Sequence, residues 1–314
     1  MKTCWTITDG HPGMLSQVSG LSEAVGLPTH HKTCKRRWPW GWLGLSLGNP
    51  LGHLTTDSDP LLPPWPDLVI SCGRRSAPLA LAIKKNNLGN TFCVHVQNPL
   101  INHSAFDLIV APEHDNLVGP NVISTKGAIH KVTSQKLKEG VQTYGALFQT
   151  LPQPYSVVLL GGATNRYKMP REALMDLIQK IRFIRDKTQG SVLVTASFRT
   201  PFRDVLTNAL KEEKNIFLAE IEILNPYFAM LGVADFLFVT DDSVNMVCEA
   251  CVTNKPVYIL PLLGHKETKP KKFIDQLIQE GIVRPFHESI ESWTYTPFND
   301  TEKIAARIRE KMNL

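Results

Sequence analysis

The sequence predicts an α/β protein built as two doubly wound domains that face each other across a cleft. Two observations lead there. Short apolar runs rich in Val, Ile, Leu and Phe recur along the chain, as fully buried parallel strands do, and each gives way to turn residues and then to apolar residues at helical spacing. The alternation also restarts after Thr150-Leu151-Pro152-Gln153-Pro154, a natural linker. This predicts an N-terminal domain over 1–150, a second over 155–300, and a closing helix over 301–314 that packs back on the first domain. A chain of 314 residues with 43% hydrophobic content can bury two cores.

Taken in order, Trp5 to Thr8 reads as a strand, Asp9-Gly10-His11-Pro12-Gly13 as a glycine loop, and Ser16 to Val25 as a helix. His11 is a candidate general base, and Gln17 lies near the loop; a plain loop histidine is the alternative. Lys35-Arg36-Arg37-Trp38 continues into Trp40 and Trp42, a basic, aromatic patch suited to an anionic membrane surface, to nucleic acid, or to simple folding onto the domain. The membrane is preferred and no nucleic-acid partner is expected. Asp67 to Ser71 is a strand running into Cys72-Gly73-Arg74-Arg75-Ser76, and the helix after it, Pro78 to Lys85, makes a turn able to take a phosphate. Thr91 to Val96, Phe106 to Val110 and Asn121 to Ser124 are further strands; the second ends in Glu113-His114-Asp115, where acid and base groups meet or merely turn the chain. Ser134 to Phe148 is a helix.

The second half reads Ser156 to Leu160 as strand, Gly161-Gly162 as turn, Arg171 to Arg185 as helix and Ser191 to Thr195 as strand. From Ala196 through Pro201 a helix opens and runs to Leu210; Ile216 to Ala219 is a strand, and Asn225-Pro226-Tyr227 starts a short helix. Phe236 to Val239 is a buried strand, Thr240 to Ser243 are turn and cap residues, and a helix from Ser243 is stopped by Asn254-Lys255-Pro256 before the strand Val257 to Leu260. Helices near Lys271 to Gly281 and Thr301 to Met312 finish the chain. The unit around Ser243 leaves helix N–H groups at the carboxyl end of a parallel strand, where open sheets bind ligands and anions are favoured. Asp242 and Glu249 can share one face there if the first turn extends back that far, and a phosphate at the helix start with a carboxylate accepting from sugar hydroxyls would together hold a nucleotide; a simple cap and a solvated glutamate are the alternative.

Bulk properties are consistent with such a site. A net charge of +5 and a pI of about 8.8 favour anionic partners. The N-terminus lacks an apolar signal region and no run reaches the length of a membrane span, so a cytoplasmic protein, peripheral to the inner face of a membrane, is expected. The six cysteines sit mostly in apolar runs; the Cys248–Cys251 pair falls inside a helix, and no metal is expected.

The motifs DGHPGMLSQVSGLSEA (9–24), PDLVISCGRRSAPLAL (66–81), FDLIVAPEHD (106–115), VVLLGG (157–162), NPY (225–227) and VTDDSVNMVCEACVTNKPVYILPL (239–262) resemble, in order and across nearly the whole chain, the mitochondrial-fission "elongated mitochondria" family of plants and bacteria. That resemblance implies a GT-B architecture and kinship with the transferase that builds lipid-linked peptidoglycan precursor. It implies that Gly161 and Gly162 approach a diphosphate, and that Ser197, Arg199 and Asn225 line a donor site. Asp242, Ser243 and Met246 would cradle phosphate and nucleotide, and Glu249 would accept from ribose hydroxyls. Asp9, Gly10, Gly13, Gln17, Gly73 and Arg74 would form the acceptor and diphosphate loops. The expected activity is an inverting, metal-independent glycosyltransferase with His11 or Asp115 as base, no cofactor, and a nucleoside-diphosphate sugar as substrate. A membrane-peripheral adaptor without turnover and a sugar-nucleotide epimerase are the alternatives.

Overall fold

The computed structural model describes residues 1–38, 48–164, 167–219, 224–263 and 269–314. They form two compact units: Met1–Lys131 with Asn299–Leu314, and Val132–Phe298.

The first unit carries strands β1 (Cys4–Thr8), β2 (Thr29–Thr33), β3 (Leu68–Cys72), β4 (Phe92–Val96), β5 (Leu108–Pro112) and β6 (Val122–Thr125), all parallel, in the order β2-β1-β3-β4-β5-β6. Its helices are α1 (Pro12–Val25), α2 (Ala77–Asn86) and, from the chain's end, α9 (Thr301–Met312). Successive side chains of β3 serve opposite faces. Leu68 and Ile70 pack with Val18 and Leu21 of α1 and Ile304 and Ile308 of α9, while Val69 joins Leu79 and Ile83 of α2. Burying Ile304, Ile308 and Met312 contributes roughly 5–8 kcal/mol before entropy is counted. Polar ties fix the same helix: Thr301 Oγ1 accepts from His130 N at 3.3 Å, and Asp300 accepts from Lys126 N at 3.0 Å.

The second unit holds α3 (Ser134–Tyr144), β7 (Tyr155–Leu160), α4 (Arg171–Thr188), β8 (Ser191–Ala196), α5 (Arg203–Leu210), β9 (Ile216–Ala219), α6 (Tyr227–Val233), β10 (Phe236–Thr240), α7 (Val244–Cys251), β11 (Val257–Leu260), α8 (Lys269–Gln279) and β12 (Arg284–Pro285). Its strands are again parallel, ordered β12-β11-β10-β7-β8-β9, which is the doubly wound order with its reversal between β7 and β10. Val158, Leu160, Val192, Val194 and Phe238 pack under α4 and α5, and Val157, Leu159, Leu237 and Val239 are fully buried on the other face.

Several differences from the sequence reading have physical causes. The units divide at Lys131 and Val132 rather than at the Pro-rich stretch near 150, because α3 packs closely on α6: a Cβ on Gly140 would lie 2.8 Å from Ala229 N. The strand β2 has no apolar pattern to announce it, since it is a polar edge strand held by pairing with β1. Ala196 to Pro201 does not open a helix. Ser197 Oγ accepts from Arg199 N at 3.2 Å and Thr200 N donates to Ser197 O at 3.0 Å, so a local turn takes those groups and α5 waits until Arg203. Pro12 at the first helical position starts α1 earlier than the Ser16 expected.

Candidate functional site

The loops that follow β7, β8 and β10 meet at the reversal point of the second unit's sheet, and one carboxylate ties them together. Asp242, its side chain fully buried, accepts from Gly162 N at 3.0 Å, from Arg199 Nη2 at 2.9 Å and from Thr240 Oγ1 at 2.7 Å. Gly161 N in turn donates to Thr240 Oγ1 at 2.7 Å. Arg199 Nη1 donates to Ala163 O at 3.1 Å, and Thr200 Oγ1 donates to Gly161 O. Only glycine fits at either position of the pair. A Cβ on Gly161 would sit 2.0 Å from Asp242 Oδ1, and one on Gly162 would sit 2.3 Å from Arg199 C. The backbone is therefore pressed against protein groups on both sides, and both glycine amides already donate internally.

Asp242 and Glu249 have different partners. Asp242 turns into the loop network, whereas Glu249, 7% exposed on α7, accepts from the Tyr227 hydroxyl at 2.6 Å. Burial, with the Glu249 charge second, holds the Tyr227 phenol well above its usual range. Ser243 caps α7 through Met246 N at 3.5 Å, as expected from sequence, and Met246 is half-buried. Asn225 is exposed and its Oδ1 accepts from Tyr227 N at 3.3 Å. The structure thus gathers Gly161, Gly162, Ser197, Arg199, Asp242 and Ser243 at one end of one sheet, with Met246 and Glu249 behind them on α7.

Sequence reasoning missed Thr200, Thr240, Asp241, Tyr167 and Tyr227. Asp241 accepts from Leu262 N at 3.2 Å, fixing the start of the loop after β11. Tyr167 donates to Leu263 O at 2.8 Å, and its phenol is pushed up to about 12 by burial, with the Asp241 and Asp242 carboxylates adding to it. Thr240 was read as a turn residue and Thr200 as part of a helix start, with no hint of their partners, which lie 79 and 39 residues away. Tyr227 stood in a quoted motif without a role of its own.

In the first unit, the loops after β1 and β3 are neighbours at that sheet's own reversal. Asp9 pairs with Arg75 at 3.3 Å, and the Asp9 carboxylate accepts from His11 N at 3.3 Å. Gly73, with φ of +83°, lies against Met14 of α1, and a Cβ there would meet its Sδ at 2.7 Å. Gln17 is buried near Cys72, Arg74 is exposed, and Gly10 N donates to Thr8 Oγ1 at 3.1 Å. Gly13 sits in the first turn of α1, one residue beyond Pro12. His11 is exposed after β1, and Asp115 is half-buried after β5. Three strand spacings separate those two strands, about 14 Å, so these residues are alternatives and not a pair.

The basic, aromatic patch is corrected at one position. Arg36 is 6% exposed and bridges to Leu54, so it is a buried residue, while Arg37 and Trp38 are exposed and Trp40 and Trp42 lie outside the described residues. Cys248 and Cys251 are buried in α7, beyond its first turn. Among the described residues no cluster of ligating side chains suits a metal ion, and no helix is long and apolar enough to cross a membrane.

Comparison with solved structures gives the fold. The chain superposes along its whole length on all of a UDP-GlcNAc 2-epimerase from Methanocaldococcus jannaschii crystallised with UDP-GlcNAc and UDP, at a TM-score of 0.57 and 14% identity. The glycosyltransferase SnogD from Streptomyces nogalater follows at a TM-score of 0.52 and 12% identity, covering 100% of this chain and 95% of that one. The fold is GT-B. Among sequences, the mitochondrial fission protein ELM1 of Arabidopsis thaliana is 30% identical over 275 residues, which cover 79% of this chain and 64% of that relative's length. The model of the family described as mitochondrial fission ELM1 matches residues 12–312, and with the glycine pair, the Ser243 cap and the Asn225-Pro226-Tyr227 turn all inside that span, the chain belongs to that family.

Proposed function

We propose that the second unit binds a nucleoside-diphosphate sugar at the reversal of its sheet, and that the protein transfers the sugar to an acceptor hydroxyl with inversion and without a metal. The observation that carries this is the braced loop set around Asp242, which holds the Ser243-capped start of α7 at the carboxyl end of β10. An N-terminus held in that place favours a diphosphate, since its first N–H groups have no helical partners and the helix dipole adds positive potential. Gly161, Gly162 and Arg199 support that end indirectly, by fixing the loop through Asp242, with Ser197 turning the β8 loop toward it. Glu249, behind the phosphate position on the same helix, is the acceptor for sugar hydroxyls of the nucleoside.

In the transfer, the acceptor oxygen forms a bond to the anomeric carbon as the bond from that carbon to the diphosphate oxygen breaks. The acceptor proton passes to a base, His11 or Asp115, and the nucleoside diphosphate leaves with its charge held at α7. The solved relatives of the same fold include proteins named as epimerases as well as a glycosyltransferase, which supports a second reading: a rearrangement of the sugar nucleotide with no acceptor. Calorimetric titration with UDP-, GDP- and CMP-sugars tests the shared part of both readings, and absence of binding at saturating concentration refutes it. Product analysis with donor alone separates them, because only an epimerase turns donor over without an acceptor. A Glu249→Gln change is expected to weaken nucleotide binding while leaving the fold intact.

A further inference from the structure

On the second unit, α3, the end of α6 and the turn that follows α7 enclose a groove of about 370 Å³. Leu137 and Val141, one helical turn apart on α3, form its wall, and Leu231 with Gly232 of α6 forms its floor. Lys138 reaches it from α3 and Lys255 from the turn after α7, so its two ammonium groups come from different elements. We propose that this groove is a docking site for a peptide segment of a partner protein, one that inserts an apolar side chain between flanking carboxylates. The residues are separate from those of the nucleotide reading, and the inference does not depend on it.

The apolar part of the groove is recessed. Leu231 is buried, and Leu137 and Val141 are half-buried, so none of them projects into solvent. Gly232 keeps the space open while letting the helices approach: a Cβ there would lie 2.7 Å from Val141 Cγ2 and 3.1 Å from Leu137 O. Any larger residue at 232 would push α6 from α3 or fill the groove. An inserted apolar side chain removes this surface from water, and such an anchor in a groove between helices is a recurring way of holding a peptide.

Charge selects the occupant. Other helical lysines of this unit have carboxylate partners one turn away: Lys180 pairs with Asp176 at 2.6 Å and Lys271 with Asp275 at 3.2 Å. Lys138 has Ser134, Gln135, Val141 and Gln142 at the spacings that face it, and no acid. Lys255 is half-buried, and among the described residues neither ammonium has a hydrogen-bond or ion-pair partner. An apolar floor between two unpaired cations complements a segment that is apolar in the middle and acidic at its sides. A second copy of this chain fits poorly, because a two-fold contact through this face would set the same lysines against each other. A bilayer fits poorly too, since it is entered by projecting apolar side chains and this apolar surface is concave.

The test titrates the full chain against fluorescently labelled helical peptides of one design, leucines flanked by glutamates, with copies in which every glutamate is glutamine or lysine, and reads anisotropy. The glutamate peptide is expected to bind about tenfold more tightly than the glutamine peptide, and the lysine peptide more weakly still. Lys138→Gln with Lys255→Gln should abolish the preference for glutamate. Lys138→Glu with Lys255→Glu should reverse it, so that the lysine peptide becomes the tighter ligand, a gain that an unfolded variant would not show. Lys187→Glu, an exposed change on α4 outside the groove, should leave the preference in place. Failure of the glutamate peptide to bind, equal binding of the glutamate and glutamine peptides, or an equal effect of Lys187→Glu would overturn the inference, the last by reducing it to the net charge of the chain. Self-association or sedimentation with phosphatidylserine vesicles that is lost in the double glutamine variant would assign the groove to a second copy or to lipid, and would overturn it as well.

Discussion

Replacing Asp242 with alanine probes the brace on which the candidate site depends. The change removes the acceptor of Gly162 N, the partner of Arg199 Nη2 and the acceptor of the Thr240 hydroxyl at once. A buried N–H left without a partner costs about 1–3 kcal/mol. The Arg199 side chain is 27% exposed, so water recovers part of its charge and the lost ion pair counts for about 1 kcal/mol rather than the larger value of a fully buried pair. Allowing the Thr240 hydroxyl to rotate toward another acceptor, the total is about 3 kcal/mol. At about 2–4 °C per kcal/mol for domains of this size, the melting temperature should fall by about 6–12 °C. Asp242→Asn keeps one oxygen acceptor but not the charge, and should lose about half as much. Urea unfolding followed by circular dichroism, with thermal scans beside it, gives both figures. A loss below about 1 kcal/mol for Asp242→Ala, or no difference between the alanine and asparagine variants, would show that the loops are held by something other than this carboxylate.

Further expectations follow from the same geometry. Gly162→Ala should destabilise the second unit by about 1–3 kcal/mol, because the new Cβ meets Arg199 backbone, and a thermal scan reads it directly. Burial depresses His95 from 6.5 to about 3, with its Nδ1 2.8 Å from Ser71 Oγ. Between those values the unfolded chain binds the proton that the folded chain refuses, so stability falls as pH drops, by about 1.4 kcal/mol per pH unit. His95→Phe should remove that slope when urea midpoints at neutral and mildly acidic pH are compared. If the exposed patch docks on anionic membranes, Arg37→Ala should cut sedimentation with phosphatidylserine vesicles about fivefold, since a basic residue near such a surface contributes about 1 kcal/mol, and Trp38→Ala should weaken it as well. Arg36→Ala should lower stability instead, because that side chain is buried.

Much of the fold was legible because the strands are buried on both faces and the helices carry one apolar stripe. The strands Ile216–Ala219 and Val257–Leu260 and the helix Thr301–Met312 stand where the apolar pattern puts them, and Ser243 caps α7 as its position before an apolar stretch implies. Elements whose stability comes from a neighbour were not legible. The THHKT strand β2 is polar because it lies at an edge, and Arg284–Pro285 pairs for only two residues. Ser197 to Pro201 has the composition of a helix start, yet the Ser197 hydroxyl accepts from Arg199 N in its own turn and the Thr200 hydroxyl donates to Gly161 O.

The sequence by itself determined the alternation of strand and helix, the two cores, the family and the presence of a glycine pair and a capped helix in the second half. These are local properties, set by side-chain periodicity, capping and turn chemistry within a few residues. Tertiary structure decided which carboxylate serves which purpose. Asp242 reaches Gly162 across 80 residues and Glu249 meets Tyr227 across 22, and no spacing rule links such partners before the sheet brings them together. The α7 unit thus keeps its helix start as the candidate phosphate position, while Asp242 just before it braces the loops and Glu249 on it meets a tyrosine.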